Sequence, residues 1–286
     1  MNIIPIRRIT SADVKQNIAG RFSIRGLATV LNGKDLVHDL HKHDFFFILA
    51  VQNGKGVHEI DFVSHLVQDF TIFLLRPGQV HRLELSAASN GFRMEFDPSF
   101  YHPKGPAGQR LKKAAVRNYC KIGMTKFAKI HSILENIHSE FIAKQEGYTE
   151  AIIAGLDLFF IEYIRQTTSP ENPANAGNTY NQERFEQLIG LLEANIGTMK
   201  NVSQYAGLLN MSSYQLNAIT KSSVGKNVSE LINEQILLEA KRYLLATSNQ
   251  VKEVADHLGY EDVSYFIRFF KKHTGHSPEA FRKNFK

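Results

Sequence analysis

A single cysteine, Cys120, stands in the 286 residues, so no disulfide can form within the chain. That suits a reducing compartment, and the expected role of Cys120 is a buried structural thiol. Long apolar runs are lacking too. The longest, Phe45 to Val51, is far too short to span a bilayer, and Arg7 and Arg8 are followed by no apolar core of the secretory kind. A cytoplasmic protein with no membrane partner is expected. The chain also has no glycine-rich phosphate loop, nucleophile elbow or paired-carboxylate constellation, which points away from an enzyme. Nor is charge of one sign in large excess. The formal net charge of +6 is compatible with a polyanionic partner but by itself says little.

What is present begins with length. A chain of 286 residues exceeds the size at which one hydrophobic core usually stops growing, so at least two domains are expected. Between Arg21 and Asp97 short apolar-alternating runs are broken by turn signals, the pattern of an antiparallel sandwich or barrel. Phe92, Met94 and Phe96 alternate with Arg93 and Glu95, and His81, Leu83 and Leu85 alternate with Arg82 and Glu84. Each run is read as having one wet face, and Asn32-Gly33 and Asn53-Gly54 are read as hairpin turns. From Lys126 to Arg165 the period becomes helical, with Ile130, Ile133, Leu134, Ile137 and Phe141, then Ile152, Leu156, Phe159, Phe160 and Tyr163. These two helices either cover the β domain or offer part of their stripe as a dimer seam. The stretch TTSPENPANAGNTYN, residues 167–181, carries two prolines and no periodic apolar residue and reads as a linker.

Beyond the linker lies an internal repeat of about 49 to 50 residues: Val202, Ala206 and Leu209 match Val251, Ala255 and Leu258. After a one-residue insertion, Leu216, Lys221 and Gly225 match Phe266, Lys271 and Gly275. Each copy has the anatomy of a helix, a tight turn and a second helix. Asn201-x-x-Gln204 and Ser212-x-x-Gln215 read as capping boxes, and Gly259 supplies the left-handed residue of the second turn. A long helix from Val228 to Ala246 joins the copies. Ser277-Pro278-Glu279 opens a last helix. On the second helix of copy two, Phe266, Phe269 and Phe270 take the buried stripe, leaving Ser264, Arg268, Lys271 and Lys272 for a major groove. In copy one the candidates are Ser213, Tyr214, Asn217 and Lys221, a less basic face. From Asn181 onward, 13 Lys and Arg against 11 Asp and Glu leave only +2, so the charge is concentrated in copy two and its tail.

The stretch EAKRYLLATSNQVKEVADHLGYEDVSYFIRFFKKHTGHSPEAFRK resembles the signature of the AraC/XylS family of transcriptional regulators, matched at Ala240, Leu244, Ala255, Gly259, Ser264, Phe266, Phe270, Gly275, Pro278 and Arg282 among others. Copy one departs more, with Thr220 where an aromatic is usual and Ala218 where a polar residue is frequent. HKHDFFFILAVQNGKGVHEIDF and FLLRPGQVHRLEL resemble the family's cupin-like sensor domain. The resemblance implies a two-domain α+β protein: a cupin-like β-barrel with accessory helices over 1–166 that senses and dimerises, a linker over 167–181, and an all-α domain of two helix-turn-helix units joined by a linker helix over 182–286. It implies a sequence-specific, ligand-responsive activator, partnered by double-stranded promoter DNA, a small-molecule effector, RNA polymerase and a second copy of itself.

His41-x-His43 puts two imidazoles on one strand face with Phe45 and Phe47, and His81 joins them from a later strand. Metal-binding cupin enzymes usually add a glutamate shortly after the second histidine, and Phe45 to Ile48 stand there instead. The expectation is therefore no cofactor and no metal, with these five side chains lining an effector pocket or held to turns. Two other readings stay open: a cupin-type metalloenzyme whose helical repeat is an interaction module, and a DNA-binding dimer with no effector.

Overall fold

A computed structural model of the protein describes residues 6–7, 9, 21–167 and 179–284. The chain divides between residues 169 and 170 into two compact units. Most of the expected linker, 168–178, lies outside the described residues. The flanking helices reach further into it than expected, to Thr167 on one side and from Thr179 on the other.

The first unit is a pair of five-stranded sheets. One, sheet A, has the order β1 (Ile6–Arg7), β3 (Leu36–His43), β8 (Val80–Leu85), β5 (Gly56–Ile60), β6 (Val63–Val67). The other, sheet B, has the order β10 (Tyr119–Lys121), β7 (Thr71–Leu75), β4 (Phe46–Asn53), β9 (Asn90–Phe96), β2 (Phe22–Gly26). Only the β1–β3 pair is parallel. Between the sheets lies one apolar cluster, with Leu49, Val51 and Phe73 from sheet B against Ile60, Leu83 and Leu85 from sheet A. The far side of sheet B is covered by α2 (Gly105–Ala114), α3 (Met124–Ala143) and α4 (Tyr148–Thr167) through Phe127, Ile130, Leu134, Leu156, Phe159 and Phe160. The two helices of the 3.6-residue period thus cover the barrel.

This layering explains the strand sequences. Sheet B is buried on both faces, so β7 (TIFLL) and the middle of β4 are continuously apolar. Sheet A has one wet face, so β8 alternates, with Arg82 and Glu84 exposed. The expectation of a wet face on β9 is corrected here. Phe92, Met94 and Phe96 face the helices, so Arg93 and Glu95 point between the sheets, where Glu95 is buried. Alternation in β9 separates two buried environments, which single-strand periodicity cannot distinguish from core and solvent.

The two expected hairpin turns are also corrected. Asn32, with φ 46°, caps a short helix, α1 (Leu27–Leu31), and Asn53-Gly54 connects strands of different sheets. The two-residue hairpin instead joins β5 to β6, where Asp61 and Phe62 have φ of 48° and 69° and Ile60 pairs with Val63. A phenylalanine is a poor turn signal because a bulky side chain resists positive φ.

The second unit is helical: α5 (Thr179–Asn195), α6 (Val202–Leu208), α7 (Ser213–Val224), α8 (Val228–Ala246), α9 (Val251–His257), α10 (Val263–Thr274) and α11 (Pro278–Asn284). The repeat is realised as α6–α7 and α9–α10. Both turns close alike: Met211 N–H donates to the Ala206 carbonyl at 2.9 Å and Tyr260 N–H to the Ala255 carbonyl at 2.9 Å. The left-handed residue is Asn210 (φ 53°) in the first and Gly259 (φ 69°) in the second. The expected starts are present. Gln204 and Gln215 accept from the backbone N–H groups of Asn201 and Ser212 at 3.0 and 2.9 Å, and Ser277 Oγ accepts from Ala280 N–H at 3.2 Å.

Candidate functional site

The second helices of the two copies, α7 and α10, each bury one stripe and present another. In α10, Phe266 and Phe270 are fully buried, while Ser264, Arg268, Lys271 and Lys272 are exposed, as expected; Phe269 is half-buried. The Arg268 guanidinium is 69% exposed and reaches Asp262, the N-cap, only at 3.8 Å, an exposed pairing worth little and readily exchanged for a base edge or phosphate. In α7, Leu216, Ile219 and Thr220 are buried and Tyr214 is 84% exposed with Lys221 alongside. Ser213 is half-buried.

Asn217 has a second duty. Its carboxamide oxygen accepts from Val228 N–H at 2.9 Å, satisfying a donor in the first turn of α8. The equivalent of Val228 in copy two is Pro278, which has no N–H, and the equivalent of Asn217 is Ile267. Where proline removes the orphan donor, the acceptor is not needed, so the difference between the copies follows from helix-end chemistry. Arg282 is likewise occupied. Its side chain is half-buried and donates to the carbonyls of Leu244 and Asn249 at 2.8 and 2.5 Å, closing the end of α8. Its charge helps less with a phosphate than composition suggests. The copies are tied together by Lys200, whose ammonium donates to the Gly259 carbonyl at 2.6 Å and lies 4.7 Å from the Tyr260 ring centre.

In the first unit, β3 and β8 bring together the side chains expected to line a pocket. His41, His43, His81, Phe45 and Phe47 are all buried, and His41 lies directly opposite His81. The His43 ring centre is 4.2 Å from that of Phe45 and stacks on Phe47 at 5.5 Å and 7°. A residue missed in the sequence completes the group: His58 on β5 is fully buried, with Nε2 at 2.8 Å from His81 Nδ1. His81 Nε2 in turn lies 2.7 Å from His43 Nε2. The available signal was the β5 run GVHEI, whose period of two puts His58 on the Ile60 face. Burial, with lesser help from the surrounding imidazoles, pushes His58 down to about 3 and His81 well below the usual histidine range. Both are therefore neutral at pH 7. Also between the sheets, Glu95 pairs with Arg93 at 3.2 Å, and burial raises its carboxyl above the usual range against the opposing pull of Arg93 and Arg25. No helix among the described residues is long and apolar enough to cross a membrane.

Residues 205–284 match a family model described as a helix-turn-helix domain, and residues 30–150 match one described as an AraC-like ligand binding domain. The HTH-type transcriptional activator RhaS of Pectobacterium carotovorum subsp. carotovorum is 23% identical over 252 residues, covering 85% of this chain and 86% of that protein. RhaR of Pectobacterium atrosepticum, also an HTH-type transcriptional activator, is 24% identical over 261 residues, 87% of each. A solved transcriptional regulator with an AraC-type DNA-binding domain, from Chromobacterium violaceum, is 23% identical over 38% of this chain and 96% of its own, with a TM-score of 0.35. The paired helix-turn-helix units, the two-sheet domain before them and these matches make the chain a DNA-binding transcription regulator of the AraC/XylS family, carrying an AraC-like ligand-binding domain.

Proposed function

We propose that the protein is a cytoplasmic, ligand-responsive activator that binds duplex promoter DNA as a homodimer and recruits RNA polymerase, with no catalytic activity of its own. The observation that carries this reading is the repeated outward face: α7 and α10 sit in matching units, and α10 presents Ser264, Arg268, Lys271 and Lys272 from a fully buried Phe266–Phe270 stripe. Arg268 reads a base, by bidentate contact to guanine, and Lys271 and Lys272 neutralise phosphates. Copy one positions the complex and reads more weakly, because Ala218 stands where copy two has Arg268 and Asn217 is shared with the start of α8. Activation is read across from the relatives named as activators. The effector enters the two-sheet domain near His41, His43, Phe45, Phe47 and His81, where polar nitrogens face an apolar surround.

The test is binding of the full-length chain to its own upstream region and neighbouring promoters across a salt series, then with a metabolite library. Specific binding that weakens steeply with salt and shifts with one compound supports the reading. Equal affinity for promoter and random DNA at every salt concentration contradicts it.

A further inference from the structure

The interior of sheet A holds more imidazole than an apolar lining explains. His41, His43 and His81 each offer one nitrogen within 4.8 Å of the others, and all three are buried. Two of the three have their other nitrogen tied. His41 Nδ1 lies 2.6 Å from the Asp39 carbonyl, an acceptor only, so that nitrogen carries the proton and Nε2 is left as a lone pair. His81 Nδ1 lies 2.8 Å from His58 Nε2, which can accept from it in the same way. The third contact is the telling one: His81 Nε2 and His43 Nε2 face each other at 2.7 Å. Two lone pairs do not approach so closely without a positive centre between them, either a shared proton or a cation. Histidines kept only as structural hydrogen-bonding groups would answer to backbone or turns, as His41 does, and not chiefly to one another.

We infer that His41, His43 and His81 form a binding site for one late first-row divalent cation, with Zn2+ as the reference ion and His58 as the acceptor that orients His81. Three neutral imidazoles with an open fourth position are a donor set that zinc accepts, and the orienting contacts at His41 and His81 are of the kind that accompany metal-bound histidine. The absence of a carboxylate among the donors favours Zn2+, Co2+ and Ni2+ over Mg2+ and Ca2+, which want oxygen. Phe45 and Phe47, packed on His43, keep bulk water from competing. The missing glutamate that spoke against a metal in the sequence removes an oxygen donor, but it leaves the nitrogen set intact. This site does not depend on the chain binding DNA.

The experiment uses the untagged full-length protein, stripped with chelator and dialysed. Titration with Co2+ is followed by its visible ligand-field absorption, then competition with Zn2+, with bound ion counted by elemental analysis. One equivalent of Co2+, displaced by Zn2+ and indifferent to Mg2+, is the expected result. His43→Ala and His81→Ala should abolish the absorption, and His58→Gln should weaken binding by about 10- to 100-fold, with circular dichroism verifying each fold. A folded wild-type protein that takes up no stoichiometric Co2+, Ni2+ or Zn2+ overturns the inference without recourse to any variant. Undiminished binding in a folded His43→Ala/His81→Ala chain overturns it as well, placing the ion on other histidines.

Discussion

At the scale of single residues, the side chains that matter most are those whose chemistry is already partly spoken for. Asn217 is exposed enough to meet DNA, yet its oxygen holds Val228 N–H at 2.9 Å. Asn217→Ala should therefore lower stability by about 1–2 kcal/mol, the cost of an unmet buried donor, and weaken specific and random DNA together. Denaturant unfolding beside binding titrations checks this, and loss confined to one operator position would show direct base reading instead. Cys120 makes a different point. It is half-buried, and burial moves its thiol from 9.0 to about 11, against weaker opposing contacts from Tyr163 and Arg117. Because the thiolate is the reactive form, a pKa raised by about two units lowers it about 100-fold at pH 8. Iodoacetamide should accordingly label the native chain at least that much more slowly than the urea-unfolded chain; comparable rates would show an open, reactive thiol.

At the scale of elements, the helix ends set the geometry and were the most readable part of the sequence. The capping boxes at Asn201 and Ser212, the helix from Val228 to Ala246 and the proline start at Pro278 all lie where local chemistry put them, because a cap is decided within four residues. Strand environments were less readable. Arg93 and Glu95 looked solvated because alternation reports two faces and not what covers each; the covering helices α3 and α4 follow some thirty to seventy residues later. His58 escaped notice for the same reason: only strand pairing across β5 and β8 brings it to His81. The three αL glycines separate conformational from steric cost. Gly275 (φ 79°) and Gly225 (φ 73°) have open space where a Cβ would go, whereas a Cβ at Gly259 would lie 2.0 Å from the Gly197 carbonyl oxygen. Gly275→Ala should thus cost about 1 kcal/mol and Gly259→Ala about 3 kcal/mol or more, measured by thermal unfolding. Equal costs would mean that the backbone between α5 and α6 yields freely.

At the scale of the whole molecule, charge is placed more tellingly than it is counted. A net +2 over the helical region would suit many proteins, but Arg268, Lys271 and Lys272 share one exposed face of α10, while Arg282 is turned inward to the end of α8. The division of labour between copies therefore rests on few side chains, and each has a separable signature in binding. The most direct measurement is the salt dependence of affinity for a promoter fragment and for random DNA, made with the full-length wild type, Arg268→Ala and Lys271→Ala. Lys271→Ala should weaken both DNAs alike and reduce the slope of log K against log salt by about 1, whereas Arg268→Ala should cost about 1–3 kcal/mol on the promoter, mostly sparing random DNA. Equal loss on both DNAs for Arg268→Ala, with no change of slope for Lys271→Ala, would contradict α10 as the principal reading helix.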